Sequence, residues 1–253
     1  MHKNNFFSKI ITISLILSNF LCYNANCSEI SPKTTNLPEV SQEVKSDETS
    51  ENIKFLAQKF KIKESEFENL LYSNDKKQKL VPVSKNHLEL FKAVFCHNNS
   101  EYMKYFAYGK GKPENLAEKI LENKMSRMYK KDKELPASLT FVIIDNNKAA
   151  GVVMVGPVSN KSYPEVAYII KKDYANRGLG GFAVKTLLLL LKKLRENKIY
   201  SYSKIYATCH PNNLYSNKIL KNAGFSTDGK EIKKDFGPRY EYFYTFENTE
   251  KEQ

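Results

Sequence analysis

Apolar and polar positions along the chain predict a mixed α/β domain in its last two thirds. Runs that alternate, or that are rich in β-branched and aromatic residues, predict strands, and apolar residues three or four apart predict helices. The predicted strands cover residues 88–95, 139–145, 149–158, 166–170, 205–209 and 240–246. The predicted helices are a short pair over 51–73, a broken stretch over 100–130, a segment after Gly181, and residues 214–222. Helices and strands that alternate in this way are typical of α/β proteins.

Three local patterns add detail to this prediction. Five consecutive leucines at 187–191 predict a helix that is covered on nearly all sides and packs against the sheet. The run Asn146-Asn147-Lys148 predicts a hairpin turn between two strands. Gly224 follows the last helical segment, where glycine commonly ends a helix.

The first 27 residues have the pattern of an export signal. A basic start ends at Lys9, an apolar stretch covers 10–22, and Ala25 and Cys27 are the small residues expected at positions −3 and −1 of a cut before Ser28. The apolar stretch is shorter than the roughly 20 residues that span a bilayer. We therefore expect a cleaved signal and no stable membrane span after cleavage. An uncleaved membrane anchor is the alternative.

The remaining chain divides by composition into four parts. Residues 28–50 are rich in Ser, Thr, Pro, Glu and Lys, and they lack the apolar surface needed to offset the entropy of ordering, which predicts a flexible linker. Residues 51–75 form a short helical extension, 76–247 the folded domain, and 248–253 a polar tail.

Charge and cysteine content narrow the possible partners. The net charge of +12 is concentrated in the folded domain. A basic surface raises the local concentration of polyanions such as nucleic acid, anionic lipid or a phosphorylated cofactor, although a solvated lysine-rich surface is the plainer interpretation. No repeated grouping of arginine and aromatic residues is present, so we expect no specific nucleic-acid partner. Signal cleavage would leave only Cys96 and Cys209. Without CxxC or His/Cys clusters, these predict free thiols and no metal site.

The segment 168–185 carries the strongest chemical signal. A predicted strand passes through a short basic loop with Gly178, Gly180 and Gly181 directly into a helix. Glycine lets the backbone approach a ligand closely, and a helix N-terminus presents unpaired N–H groups to an anion. Arg177 adds a positive charge. The Gly-Lys-Ser/Thr of a P-loop is absent, and the loop comes too late in the chain for the usual dinucleotide-binding fold.

A second segment, 207–225, follows about 25 residues later and contains Asn213, Ser216, Gly224 and Phe225. Together the two segments resemble the acyl-CoA pyrophosphate loop and the "Asn-x-x-Ser … Gly-Phe" element of the GNAT superfamily of N-acetyltransferases. The resemblance covers about 88–246, and Tyr105-Phe106, Gly109 and the lone serine at 216 are similar to the branch that includes ribosomal-protein N-terminal acetyltransferases. It implies an α/β GNAT fold: a mixed central sheet of about six to seven strands flanked by helices.

The resemblance also implies a reaction and a set of residues. An acetyl group would pass from acetyl-CoA to a primary amine by direct attack in a ternary complex. Glu165 is the first candidate to accept the proton of the ammonium, His210 is the second, and Ser216 is the acid for the leaving thiolate. One backbone N–H of the strand would stabilise the oxyanion. The residues implied to bind the cofactor are Ile169, Ile170, Asn176, Arg177, Gly178, Leu179, Gly180, Gly181 and Asn213.

The chain departs from the family pattern at two positions. The signature Gln/Arg-x-x-Gly-x-Gly/Ala is matched from Ala175 to Gly180, so alanine occupies its first place; a register that starts at Arg177 would put Phe182 in the last place. Many relatives carry a catalytic tyrosine where this chain has Leu220. These departures support a second hypothesis, a non-catalytic module that binds acyl-CoA or a macromolecule.

The acceptor and the compartment stay open at this stage. The expected acceptor is an amine on a protein N-terminus, a lysine or a small molecule such as an aminoglycoside. Because acetyl-CoA is scarce outside a cytosol, export suggests a secreted protein delivered to a host cytosol, with membrane anchoring as the alternative.

Overall fold

The structure is a computed structural model that describes residues 46–96, 104–105, 115–130, 135–157 and 163–246. The predicted signal at 1–27, most of the predicted linker and the polar tail lie outside these residues. The described part of the chain falls within one compact unit. Its elements are α1 (Ser46–Phe60), α2 (Glu64–Leu70), β1 (Gln78–Pro82), α3 (Leu88–Phe95), α4 (Asn115–Met128), β2 (Leu139–Asp145), β3 (Lys148–Gly156), β4 (Glu165–Ile170), α5 (Leu179–Glu196), β5 (Lys204–Cys209), α6 (Leu214–Asn222), β6 (Glu231–Lys234) and β7 (Gly237–Thr245).

The strands form a single seven-stranded sheet in the order β1-β2-β3-β4-β5-β7-β6. Every neighbouring pair is antiparallel except β4 and β5, which are parallel. The chain therefore folds into the mixed sheet flanked by helices that was expected.

The parallel pair at the centre of the sheet is incomplete. The only register pair of β4 and β5 is Glu165 with Tyr206, next to a 2.8 Å bond from the Tyr206 N–H to the Pro164 carbonyl. Beyond this point β4 stays paired with β3 as far as Ile170, and β5 stays paired with β7 as far as Cys209. The two strands thus part toward their C-terminal ends and leave a gap in the middle of the sheet.

Helix α5 covers the sheet beside this gap. It contacts β1, β2, β3, β4 and α6, and most of its side chains are buried. Four of the five leucines at 187–191 are buried, whereas Leu189 is 57% exposed. The prediction that this helix is covered on nearly all sides is therefore confirmed, except on the side where Leu189 is exposed.

The prediction of a strand at 88–95 is wrong, because these residues form α3. Leu90, Phe91, Val94 and Phe95 are buried together, at the three- and four-residue spacing of a helix. The first strand is β1, which was not predicted, and the polar edge strand β6 was missed as well. The broken helix over 100–130 is confirmed only for α4, while Lys104 and Tyr105 lie in a turn and the rest is outside the described residues.

The predicted helical pair is confirmed as α1 and α2, although α1 begins at Ser46, inside the predicted linker. Phe60 and Phe67 are fully buried, with ring centroids 5.9 Å apart. Both belong to the same hydrophobic core as the side chains of the sheet. Among the described helices, none is both long and apolar enough to cross a bilayer.

Candidate active site

The N-terminus of α5 is open to an anion. Asn176 and Gly178 have positive φ angles of 60° and 77°, and Gly178 caps the helix without a side-chain hydrogen bond. The first turn contains no acidic residue. A Cβ added at Gly178 or Gly181 would meet nothing within 4 Å. Helix N–H groups without a side-chain cap, a positive dipole end and open space above them form a concave surface, called the cradle below, whose chemistry suits an anion such as phosphate.

Gly180 serves a different purpose from its two neighbours. It is buried, and a Cβ there would lie 2.9 Å from Ile219 Cδ1 and 3.4 Å from Tyr168 Cε2. Because Gly180 has no side chain, α5 can approach β4 and α6 closely at this position.

The Arg177 guanidinium is directed toward the end of β2. It lies 3.5 Å from Asp145 Oδ2, donates to the carbonyl of Asp173 at 3.0 Å, and stacks 4.9 Å from the ring centroid of Tyr174. The side chain is 54% exposed. The cradle itself is thus formed mainly by backbone groups, and Arg177 stands beside it.

Backbone direction along β4 decides which residues face the gap. The Lys171 N–H donates to the Ala150 carbonyl on β3 at 2.8 Å. Because backbone groups of alternate residues point the same way along a strand, those of Ile169 also pair with β3, and those of Tyr168 and Ile170 face β5. Of the two strand residues expected to pair with a cofactor, Ile170 thus has backbone groups that face the gap, whereas those of Ile169 face β3.

Ser216 lies in the first turn of α6, where the helix meets the gap. Its N–H donates to Asn213 Oδ1 at 3.2 Å, so Asn213 is the N-cap of this helix. Ser216 Oγ is 2.7 Å from the Tyr168 hydroxyl. Burial raises the pKa of Tyr168 well above its usual value. The pair joins the helix that follows β5 to the strand on the other side of the gap.

Asn217 holds this corner in place and was not found from the sequence. It is buried, and its Nδ2 donates to the carbonyls of His210, Pro211 and Asn213 at 3.1, 3.0 and 2.9 Å. Its Oδ1 accepts from the Tyr242 hydroxyl at 2.8 Å. The only sequence signal was a polar residue on the buried side of a helix, next to the recognised serine.

Glu165 lies on the opposite face of the sheet from Tyr168, because side chains alternate along β4. The Thr208 hydroxyl donates to Glu165 Oε1 at 3.3 Å. Burial raises the pKa of Glu165, and the nearby Glu241 adds to this, whereas the Thr208 hydrogen bond and Lys234 oppose it.

Glu241 is held by two partners next to Glu165. The Tyr206 hydroxyl donates to Glu241 Oε1 at 2.5 Å, and Lys234 Nζ lies 3.9 Å from the same oxygen. Glu241 is also the cross-strand partner of Thr208. The result is a partly open polar surface where an ammonium group would find carboxylates.

His210 follows β5 and lies beside Tyr105, with ring centroids 4.6 Å apart. Its Nδ1 accepts from the Asn212 N–H at 3.1 Å. Burial lowers the pKa of His210, and Arg239 lowers it further. Arg239 also donates to the Tyr105 carbonyl at 3.2 Å.

Two further expectations concern Leu220 and the cysteines. Leu220, at the family's tyrosine position, is a core residue that is only 1% exposed. Cys96 and Cys209 are free thiols, and no group of three or more metal-binding side chains occurs in the described part of the chain.

The amino-acid sequence that forms this site matches a known family. A family model described as an acetyltransferase (GNAT) domain matches residues 79–226, which is more than half of the chain. The chain belongs to the GNAT acetyltransferase family. Among curated proteins, no sequence matches it.

Solved structures with the GNAT fold resemble the chain at low sequence identity. RimL, a ribosomal L7/L12 N-acetyltransferase in complex with coenzyme A, matches with a TM-score of 0.56 and 14% identity, over 67% of this chain and 94% of that one. The microcin C7 self-immunity acetyltransferase MccE, in complex with acetyl-CoA and AMP, matches with a TM-score of 0.54 and 16% identity, over 67% and 93%. AAC(6′)-Ib, in complex with ribostamycin and coenzyme A, matches with a TM-score of 0.52 and 17% identity, over 70% and 99%. At such identities the likeness establishes the fold alone.

Proposed function

We propose that this GNAT protein transfers an acetyl group from acetyl-CoA to a primary amine by direct attack in a ternary complex. The observation that carries the proposal is the gap between β4 and β5. It opens beside the uncapped N-terminus of α5, and Glu165 and Ser216 lie on opposite faces of the sheet at its edge. A thioester held in the gap would have a proton acceptor on one side and a proton donor on the other.

The cofactor would occupy the gap along β4. Its diphosphate would lie in the cradle at 176–181, and the pantetheine arm would pair with the backbone groups of Ile170 and Tyr168 that face the gap. Strand residues rise about 3.3 Å each, so this arm would carry the thioester toward Glu165. An unpaired N–H on the same strand edge is a suitable donor to the oxyanion.

Glu165 is the proposed general base. A useful base has a pKa near the working pH, and burial moves the pKa of Glu165 upward in that direction. His210 is the second candidate, although burial lowers the pKa of its ring. Ser216 is the proposed acid for the leaving sulfur. The positive end of α6 beside it would also stabilise a developing thiolate.

Replacing Glu165 tests the central role. Glu165→Gln keeps the shape and the Thr208 contact but removes the basicity, so the maximal rate should fall by about 10²–10⁴-fold at neutral pH. It should recover at high pH, where more acceptor amine is already neutral. Steady-state rates and melting temperatures of both proteins measure this. An unchanged rate per folded molecule would remove Glu165 and make His210→Gln the next variant.

Two surface variants separate Glu165 from His210 as the titrating group. Removing the negative charge in Glu241→Gln should lower the pKa of Glu165 and move the acid limb of the rate profile to lower pH. Removing the positive charge in Lys234→Met should move the same limb to higher pH. The charged groups that shift the pKa of His210 are Arg239 and Glu231 instead, so an acid limb that stays in place in both variants would contradict the assignment.

Acetyl-CoA binding without transfer to any amine would support the second hypothesis, a non-catalytic acyl-CoA-binding module. The proposed acceptors are a protein N-terminus, a lysine or a small amine. Mass spectrometry of amine mixtures incubated with acetyl-CoA and the protein identifies the class that gains an acetyl group.

We also propose that the protein is exported after cleavage of its signal. N-terminal sequencing of the exported protein should then start near Ser28, and an intact Met1 on a membrane-bound species would contradict the proposal.

A further inference from the structure

Tyr168 joins two parts of the proposed catalytic site. Its ring lies under Gly180, at the distance where an added Cβ would be 3.4 Å from Tyr168 Cε2. Its hydroxyl reaches from β4 to Ser216 Oγ at 2.7 Å. Packing explains the position of the ring but not that of the hydroxyl.

The direction of this hydrogen bond follows from acidity. A phenol, with an ordinary pKa of about 10, is a stronger donor than an aliphatic hydroxyl, and a serine oxygen is a good acceptor with two lone pairs. Tyr168 therefore donates and Ser216 accepts. Ser216 then directs its own proton elsewhere, either to the Cys209 sulfur, with which it also makes a side-chain hydrogen bond, or to a group in the gap.

We propose that Tyr168 is a positioning residue for acetyl transfer, which orients the Ser216 hydroxyl so that its proton points at the sulfur of the bound cofactor. This inference rests on the proposed function. In the step it serves, the C–S bond of the tetrahedral intermediate breaks, its electron pair stays on sulfur, and the sulfur takes the Ser216 proton. The Ser216 oxygen is reprotonated by the ammonium proton that the acceptor has released, through the base and solvent.

Neither hydroxyl gives up a proton to a thiolate without cost, because burial raises the pKa of Tyr168 and an aliphatic hydroxyl is a weaker acid than a phenol. The Ser216 proton must therefore move to the sulfur as its replacement arrives. The hydrogen bond from Tyr168 stabilises the negative charge that develops on the Ser216 oxygen meanwhile. Tyr168 thus provides a hydroxyl next to the leaving group although the family's tyrosine position holds Leu220.

The test is Tyr168→Phe, which keeps the ring and deletes the hydroxyl. We expect the maximal rate of acetyl transfer to fall about tenfold or more, with an unchanged dissociation constant for acetyl-CoA by calorimetry. Tyr200→Phe is the matched control, because the Tyr200 hydroxyl is buried too and donates to the Pro136 carbonyl at 2.9 Å away from the gap. The control should lose stability without losing rate per folded molecule.

A double-mutant cycle with Ser216→Ala makes the test specific. If Tyr168 acts through Ser216, the double variant should be no slower than Ser216→Ala alone. The inference would be overturned if the rate losses of the two single variants multiplied in the double variant, or if Tyr168→Phe had a normal rate. In either case, acetyl transfer by the wild type would still support the proposed function. Absence of transfer by the wild type, with acetyl-CoA still bound, would overturn both.

Discussion

The N-termini of α5 and α6 follow the two strands that border the gap, yet they are built in opposite ways. The N-terminus of α5 is uncapped, because the residue at the N-cap position is Gly178, which has no side chain to accept a hydrogen bond, and it faces open space at Gly178 and Gly181. The N-terminus of α6 is closed by the Asn213 side chain and fixed from below by Asn217. The first presents backbone groups, and the second presents a single side chain, Ser216.

The difference shows how one structural device can serve two tasks. An anion as large as a diphosphate needs several N–H groups and room, so α5 must stay uncapped. A hydroxyl that donates to one atom needs a fixed position, so the N–H groups of α6 are partly satisfied within the protein. In the proposed reaction, cofactor binding would therefore fall to α5 and proton transfer to α6.

The largest effect should come from closing the open terminus with a charge. Gly181→Asp should lower acetyl-CoA affinity by up to about a thousandfold, because like charges ~4 Å apart repel by about 4 kcal/mol at an effective dielectric of ~20. An acidic residue in the first turn favours the helix itself, so the melting temperature should not fall. Calorimetry measures the affinity, with Gly181→Asn as the uncharged control. Equal affinities for the two variants would show that the anion binds elsewhere. Gly180 is unsuitable here, since any side chain would meet Ile219.

A smaller effect should come from loosening the closed terminus. Asn217→Ala removes an amide with four hydrogen bonds and strands the Tyr242 hydroxyl, which should cost about 3 kcal/mol of unfolding free energy. Denaturant unfolding measures the cost. Asn222, exposed at the end of the same helix, provides Asn222→Ala as a control that should change stability little. If both variants are equally stable, Asn217 does not hold the corner.

The smallest effect should come from the cap alone. Asn213→Ala should reduce the unfolding free energy by about 1 kcal/mol, the usual value of an N-cap. Asn213→Asp keeps a capping oxygen and should keep the stability. It should nevertheless slow acetyl transfer, because it adds a negative charge where a thiolate develops. A rate equal to that of the wild type would mean that the sulfur does not reach α6.

The features of the two helix N-termini that could be predicted from the sequence are those that depend on residues close together in the chain. The glycine loop and the Asn213/Ser216 spacing are short patterns, and the helices that carry them, α5 and α6, were placed correctly. The contacts of Tyr168 with Ser216 and of Asn217 with Tyr242 join residues 48 and 25 positions apart, so no local pattern reports them. The error at 88–95 has a related cause, because a short apolar run fits either period until its neighbours are known.

The burial of α1 and α2 bears on how much of the chain is needed to fold. The family match covers only 79–226, yet Leu56, Phe60, Phe67 and Leu71 are almost completely buried in the common core, and β7 lies between β5 and β6 in the sheet. A fragment trimmed to the matched residues would lose these side chains and leave β5 with an open edge, which is a template for aggregation. We therefore expect the smallest fragment that folds on its own to include residues 46 to 246.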